Sequence, residues 1–346
     1  MNFEETEAYL LSLGNEVSSM KLGLENIRRL LAALGDPQEK YLKVQVAGTN
    51  GKGSVCAFLN SICLQAGIKT GMFTSPHLIS ITERVQINGD DISAEAFASL
   101  ATKVREVAKS LFASGAIENV PTYFEQVTAI ALLAFAEAKV ELAILETGLG
   151  GRLDATTAAN AEIAAITRID LDHQQYLGET IEEIAAEKAA IIHDEFQGVV
   201  IGQQQPKALR VILERCRQLG IRDLEWEPHL RWTIDSLGSG QVKVATHRAV
   251  FPAMELGLRG EHQRENAETA INVIRTLRYD DGFAIDDEAV VKGLVSARHP
   301  GRLEWIGRYL LDGAHNIGGA RALRNYLDEF VDRPITMIFG AMRDKQ

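Results

Sequence analysis

Residues 44–62 read VQVAGTNGKGSVCAFLNSI, an apolar run, then a turn with three glycines, an asparagine and a lysine, then an apparent helix. A glycine-rich bend between a strand and a helix lets consecutive backbone N–H groups point at one spot, where the helix N-terminus adds positive potential. A lysine in that bend can reach terminal phosphates, and the hydroxyl after it can serve Mg²⁺. Thr49, Asn50, Gly51, Lys52, Gly53 and Ser54 are therefore candidate phosphate-binding residues. The spacing is irregular, since GTNGKGS lacks a glycine at the usual distance before Gly51 and Gly53 separates Lys52 from Ser54. The competing reading is an ordinary tight turn with an exposed lysine.

Outward from this loop, predicted elements alternate. LKVQVAG, IKTGMFTS, VELAILETG and AEIAAITRI read as strands. SVCAFLNSICLQAG, AEAFASLATKVREVAKSLF, YFEQVTAIALLAFAEAK and TIEEIAAEKAAII read as helices, the last starting near Glu179 or Thr180. This rhythm predicts an α/β fold with a doubly wound, mostly parallel sheet. From about Ile221 to Leu258 the alternation in RWTIDSLGSGQVKVATHRAV predicts a small antiparallel sheet, followed by a helix at EHQRENAETAINVIRTL. Pro300 and Gly301 suggest a boundary, giving a P-loop ATPase domain over 1–297 and a second unit over 298–346. RYLLDGAHNIGGARALRNYLDEF and PITMIFGAM read there as strand, loop, helix and strand, the opening of a Rossmann-like domain that ends incomplete at Gln346.

At 346 residues and 46% hydrophobic, the chain can bury a sizeable core. A net charge of −11 argues against nucleic-acid binding, which relies on clustered Lys and Arg. Neither a signal peptide nor a long uncharged apolar run is evident, so a cytoplasmic protein without membrane association is expected. The three cysteines, Cys56, Cys63 and Cys216, lack metal-binding spacing and read as reduced core thiols.

Glu146 closes the strand VELAILE, at the carboxyl end where open α/β sheets bind ligands, and could hold Mg²⁺; a turn carboxylate is the plainer alternative. ITRIDLDH places Asp170, Asp172 and His173 just after another strand, where His173 is either a metal ligand or a hydrogen-bonded surface residue. Lys188, inside EEIAAEKAAII, reads on its own as a surface lysine in an i,i+4 pair.

Seven segments in order, GTNGKGS, TSPHL with ERVQINGDDIS, ETGLGGRLDAT, LDH with LGETIEEIAAEKAAII, GEHQRENA, PGRLE and DGAHN, resemble the folylpolyglutamate synthase and dihydrofolate synthase family of the Mur-ligase superfamily. The resemblance spans nearly the whole chain. It implies ATP as co-substrate and two Mg²⁺ ions, with a monovalent cation as a candidate addition. Lys52 would bind ATP phosphates; Ser75 and Glu146 would coordinate the first Mg²⁺ and His173 the second. Lys188 matches a lysine that the family carbamylates to supply a metal-directed carboxylate. Asn266 and Arg302 match nucleotide-binding positions, with Arg302 reaching phosphate, and Asp312 and His315 match residues brought to the ATP and acyl-phosphate site. The loop from Ser75 to Ile92, including Pro76, His77 and Arg84, would help hold a pterin-bearing substrate together with Phe124, Arg152, Asp154 and Ala155. Lys52, Lys188, Arg302 and His315 are thereby the implied catalytic residues.

Several positions depart from the family pattern. His299 stands where Trp is common, Ile317 where Pro is common, and LDATTAAN is a looser form of LDATN. GGRLDAT leans towards bacterial enzymes that accept dihydropteroate as well as reduced folates. The implied reaction is ATP-dependent ligation of L-glutamate to dihydropteroate or to a folate's terminal γ-carboxylate through an acyl phosphate, by a monomer. The alternatives are a nucleotide- and folate-binding chain without turnover, a P-loop phosphotransferase, and a cell-wall precursor ligase, the last opposed by TSPHL and GGRLDAT.

Overall fold

The computed structural model describes residues 1–14, 23–194, 198–221, 233–238, 240–245, 250–279, 282–332 and 334–341. In chain order the elements begin with α1 (Phe3–Ser12), α2 (Glu25–Ala33), β1 (Leu42–Ala47), α3 (Lys52–Gln65), β2 (Thr70–Phe73), β3 (Val85–Ile87) and β4 (Asp90–Asp91). They continue with α4 (Ala94–Ala113), α5 (Tyr123–Ala138), β5 (Leu142–Glu146), β6 (Ile163–Ile166), α6 (Gln174–Leu177), α7 (Ile181–Ala189), β7 (Gly198–Ile201) and α8 (Pro206–Gln218). The remainder are β8 (Thr233–Gly238), β9 (Gln241–Ala245), β10 (Met254–Glu255), α9 (His262–Tyr279), α10 (Asp287–Ser296), β11 (Glu304–Ile306), β12 (Tyr309–Leu311) and α11 (Ile317–Phe330). Among the described residues, no helix is long and apolar enough to cross a membrane.

The chain divides into two compact units, Met1–Gln45 with Ile68–Glu162, and Val46–Gly67 with Ile163–Gln346. In the first, the strands lie in the order β4-β3-β2-β5-β1. β2 and β5 run parallel with Thr70 opposite Leu142, and β3 runs antiparallel to β2 with Gly71 opposite Ile87. Every residue of β5 is buried, as a continuous apolar run in a parallel strand requires. The core gathers Leu30, Phe73, Phe97, Ile130, Phe135 and Leu145. α5 starts where Thr122 and Glu125 form a reciprocal capping box, worth about 1 kcal/mol. Lys43 is 1% exposed, yet its ammonium is met by Glu162 Oε1 at 2.9 Å, Gln38 O at 2.9 Å and Tyr41 O at 3.2 Å. A buried cation is tolerated only when its N–H donors are so satisfied.

The second unit carries the order β1-β6-β7, with β6 and β7 parallel and Ile163 opposite Gly198. α3 packs against α9 and α10, and α7 against α8. Thr180 caps α7 in a box with Glu183, in agreement with the sequence reading. The expected antiparallel strands form as a three-stranded sheet, β10-β9-β8, and β11 and β12 form a hairpin. Residues 222–232, 239 and 246–249 of that stretch lie outside the described residues, as do 342–346 of the terminal segment.

One expectation is corrected. PITMIFGA, read as a strand, has no regular structure over 334–341, and its Ile338 is 97% exposed. A β-run holds its shape through ladder bonds to a neighbour. Among the described residues no strand pairs with this one. Residues on both sides of the expected 297/298 boundary fall in the second unit.

Candidate active site

Within the second unit, β1 ends at Ala47 and α3 begins at Lys52, so residues 48–51 form the turn. Gly51 adopts φ +93°, and a Cβ there would lie 2.2 Å from Asn266 Oδ1. Only glycine fits that backbone and that approach. The turn is braced from one side: Thr49 and Asn50 donate their N–H groups to Arg168 O at 2.9 and 3.1 Å, and Thr49 Oγ1 donates to Asp170 O at 3.0 Å. Those two amides are thus committed to the protein. The first N–H groups of α3, at Lys52, Gly53 and Ser54, have no partner within the helix and form the anion-facing end of the loop. The Lys52 ammonium rests on Gly48 O at 3.1 Å and Thr49 O at 3.3 Å. It folds back over the turn it serves.

α9 presents Asn266 to this loop, its Nδ2 donating to Gln263 Oε1 at 2.9 Å. Beside it, burial pushes the His262 imidazole below its ordinary pKa, with Arg302 adding to the effect and Asp312 and Glu261 opposing it. Burial also raises the Glu265 carboxyl, against the pull of Arg168 and Arg264. The Asp312 carboxylate accepts N–H from Leu303 at 3.0 Å and from Ala314 at 2.9 Å, while Gly313 N–H donates to Gly301 O at 2.9 Å. The turn bearing Arg302 and the DGAHN loop are thereby stitched together. His299 is half-buried with its Nε2 enclosed and without a hydrogen-bond partner. Burial, assisted by Arg302, depresses its pKa to about 3.

Lys188 sits in the last turn of α7, 4% exposed, and donates to Gly48 O at 2.8 Å. The bland surface-pair reading is thereby corrected, because α7 turns this position inward. His173 takes a left-handed conformation, φ +48°, and its N–H donates to Asp172 Oδ1 at 2.8 Å. The other oxygen, Asp172 Oδ2, lies 3.7 Å from His315 Nε2 and accepts from Asn316 Nδ2 at 2.9 Å. Asp172 and Asn316 are absent from the sequence-derived site set. Their signal in the sequence is faint, since an acid beside a histidine and an asparagine before a helix are common.

Within the first unit, β5 delivers Glu146, 5% exposed, and Ser75 N–H donates to its Oε2 at 3.0 Å. Ser75–Pro76 is a cis peptide. The loop that follows is organised by Glu83, whose carboxylate accepts N–H from Leu78, Ile79 and Ser80 at 2.8, 2.8 and 2.7 Å. Burial works against ionisation there, but these three donors outweigh it and hold the carboxyl low. Arg84, 3% exposed, donates to His77 Nδ1 at 2.8 Å and lies over the Tyr123 ring. Phe124 packs on Phe73, ring centroids 5.9 Å apart. Asp154 is buried under the GLGGR loop: its carboxylate accepts from Leu149 N, Thr156 N and Thr156 Oγ1 at 2.9, 3.0 and 2.5 Å, and burial still raises its pKa. Ala155 is buried beside it, whereas Arg152 and Leu153 are exposed. In that stretch, Asp154 shapes the loop and Arg152 presents a side chain to solvent.

The sequence-derived residues thus fall into two sets. Lys52, Lys188, Asn266, Arg302, Asp312, His173 and His315 belong to the second unit; Ser75, Pro76, His77, Arg84, Phe124, Glu146, Arg152, Asp154 and Ala155 belong to the first. Among the described residues, no group of three or more His, Cys, Asp and Glu side chains is gathered as a metal cage. Mg²⁺ does not need one, because it favours one or two hard protein oxygens completed by water and phosphate. By its chemistry the Glu146 carboxylate is a hard oxygen donor of that kind, and the Ser75 backbone holds it by an N–H bond.

The model of the Mur ligase middle domain matches residues 46–274. A dihydrofolate synthase/folylpolyglutamate synthase of Bacillus subtilis is 38% identical over 333 residues, covering 94% of this chain and 77% of the relative. A probable bifunctional folylpolyglutamate synthase/dihydropteroate synthase of Halobacterium salinarum is 37% identical and covers all of this chain, which spans only 42% of that longer protein. Among solved structures, an FPGS–AMPPCP–folate complex superposes with a TM-score of 0.86 at 30% identity, over 97% of this chain and 82% of the other.

Proposed function

Because the chain belongs to the dihydrofolate synthase/folylpolyglutamate synthase family of Mur ligases, we propose that it ligates L-glutamate to dihydropteroate or to a reduced folate, converting ATP to ADP and phosphate. One observation carries the reading: in the 48–51 turn that opens α3, the Asn266 carboxamide closes on Gly51 at the helix N-terminus and the Lys52 ammonium lies on the carbonyls of Gly48 and Thr49. An anion-facing helix end with a lysine and a neighbouring amide suits a nucleoside triphosphate.

A carboxylate oxygen is a poor leaving group, so the acceptor must first be activated. Its oxygen attacks the γ-phosphorus of ATP, the bond to the β-phosphate oxygen breaks, and an acyl phosphate and ADP result. The glutamate amine then attacks the acyl carbon, phosphate departs with the bonding pair, and the amine loses a proton. Lys52 leaves its carbonyl perch to meet the β- and γ-phosphates, and Arg302 adds charge from the adjoining turn. His315 and Asp312 stand on the loop that serves the acyl phosphate. Arg84, His77, Phe124 and Arg152 bind the pteridine-bearing acceptor, with Asp154 and Ala155 holding their loop. Ser75 and Glu146 would hold one Mg²⁺, and His173 with a carbamylated Lys188 a second; the chemistry such an ion would supply is neutralisation of phosphate charge. The domain boundary is placed at 297/298, with Pro300 and Gly301 as a hinge that closes to exclude water. The reading also implies a cytoplasmic monomer.

The test is ADP release from Mg²⁺-ATP with dihydropteroate or tetrahydrofolate, each with and without L-glutamate, and products identified by mass. Glutamate-dependent release with one added glutamyl unit is the expected result. ATP binding without turnover, or a stable phosphorylated product, would replace the ligase with a binding chain or a phosphotransferase.

A further inference from the structure

Asn316 stands at the N-terminus of α11, 7% exposed, with every hydrogen-bonding group of its side chain engaged. Its Oδ1 accepts the Gly319 N–H at 2.9 Å, capping the helix. Its Nδ2 donates one N–H to Asn50 Oδ1 at 3.0 Å and the other to Asp172 Oδ2 at 2.9 Å. A carboxamide supplies one acceptor oxygen and two donors, and this network uses all three. The orientation of the amide is fixed by chemistry, since an N–H lies on one side and a carboxylate on the other.

The partners are parts of the reaction centre. Asn50 belongs to the phosphate loop, and its own Nδ2 donates to Asp170 Oδ2 at 3.1 Å. Asp172 faces the imidazole of His315, the residue just before Asn316. Close approach reinforces the seat: a Cβ on Gly318 would lie 2.6 Å from Asn50 Nδ2 and 2.9 Å from Asp170 Oδ2. The first turn of α11 therefore rests directly on the Asn50 and Asp170 side chains.

We propose that Asn316 is a positioning residue, tying the loop that carries Asp312 and His315 to the phosphate loop and to Asp172, so that His315 is held in register with the nucleotide. This rests on the ligase reading above. Its role differs from helix capping alone, and one substitution separates the two. Asn316→Asp keeps an oxygen for the Gly319 N–H and remains a good cap, but it donates nothing and sets a second carboxylate against Asp172. Asn316→Ala loses both functions.

With ADP release as the assay, Asn316→Asp is expected to lower kcat by about tenfold or more, the scale of losing the charge-assisted bond to Asp172 together with the neutral one to Asn50. The affinity for AMPPCP should change by less than about threefold, because the α3 N-terminus and Lys52 are untouched. The exchanged pair Asp172→Asn with Asn316→Asp restores a donor facing an acceptor and should recover part of the lost kcat. Wild-type kcat in Asn316→Asp, or an exchanged pair no better than Asn316→Asp alone, would overturn the proposal. Denaturant unfolding of the nucleotide-free variants tests the bridge without turnover: coupled effects of Asp172→Asn and Asn316→Asp support it and additive effects overturn it. A wild-type chain that failed to turn over would count against the ligase reading alone, and the unfolding cycle would still decide the bridge.

Discussion

The ammonium of Lys188 donates to the carbonyl of Gly48 at 2.8 Å, so a lysine from α7 is anchored on the turn that precedes Lys52. If its nitrogen carries a carbamate during turnover, activity depends on dissolved CO₂. Degassed enzyme should lose turnover and regain it with bicarbonate. Lys188→Ala should fall by about 10²-fold, the scale of lost metal support, and respond to bicarbonate not at all. Steady-state ADP release measured in both buffers checks this.

The Lys52 ammonium donates to two backbone carbonyls, Gly48 O and Thr49 O. Its removal breaks no ion pair among the described residues, and the cost should appear in catalysis. Lys52→Met is expected to reduce kcat by about 10²-fold or more with a melting temperature within a few degrees of wild type. A large fall in melting temperature would assign Lys52 to stability instead.

Glu146 offers the hard oxygen expected of a Mg²⁺ ligand, and it is buried against Ser75 N–H. Glu146→Gln keeps the shape and removes the charge. The Mg²⁺ concentration for half-maximal turnover should rise by about tenfold or more, read from a Mg²⁺ titration at fixed ATP.

His299 titrates near 3 in the folded chain against an ordinary value of 6.5. Between those values the unfolded chain binds the proton and the folded chain does not, so acid favours unfolding. The histidine is without effect above about pH 6.5 and increasingly destabilising as pH falls towards 3. His299→Gln should flatten the decline of melting temperature across that window relative to wild type. Parallel declines in the two proteins would refute this.

Much of this arrangement is legible in the sequence where the signal is local. GTNGKGS sits between an apolar strand and an apolar helix, and Glu146 ends a buried run, so both are placed by their neighbours in the chain. Lys188 is not, because an α7 lysine looks the same whether its turn faces water or Gly48. Asn316 is harder still: its two bridging partners lie 266 and 144 residues away, and no periodicity encodes such a contact. Asp154 illustrates a third limit, since the motif that carries it does not reveal that its oxygens are consumed by the loop's own N–H groups. PITMIFGA has the composition of a strand, and composition cannot supply the neighbour that a strand requires.

α3 follows the phosphate loop at once, and ten of its residues are buried. Two of the helices that cover it, α9 and α10, come from residues 262–279 and 287–296. On a ribosome adding about 5–20 residues per second, roughly 10–40 seconds separate the emergence of the nucleotide loop from that of its cover. Through that interval the greasy helix behind Lys52 is a nascent-chain liability, so the abundance of active protein should depend on elongation speed and on holdase chaperones as much as on the stability of the finished fold.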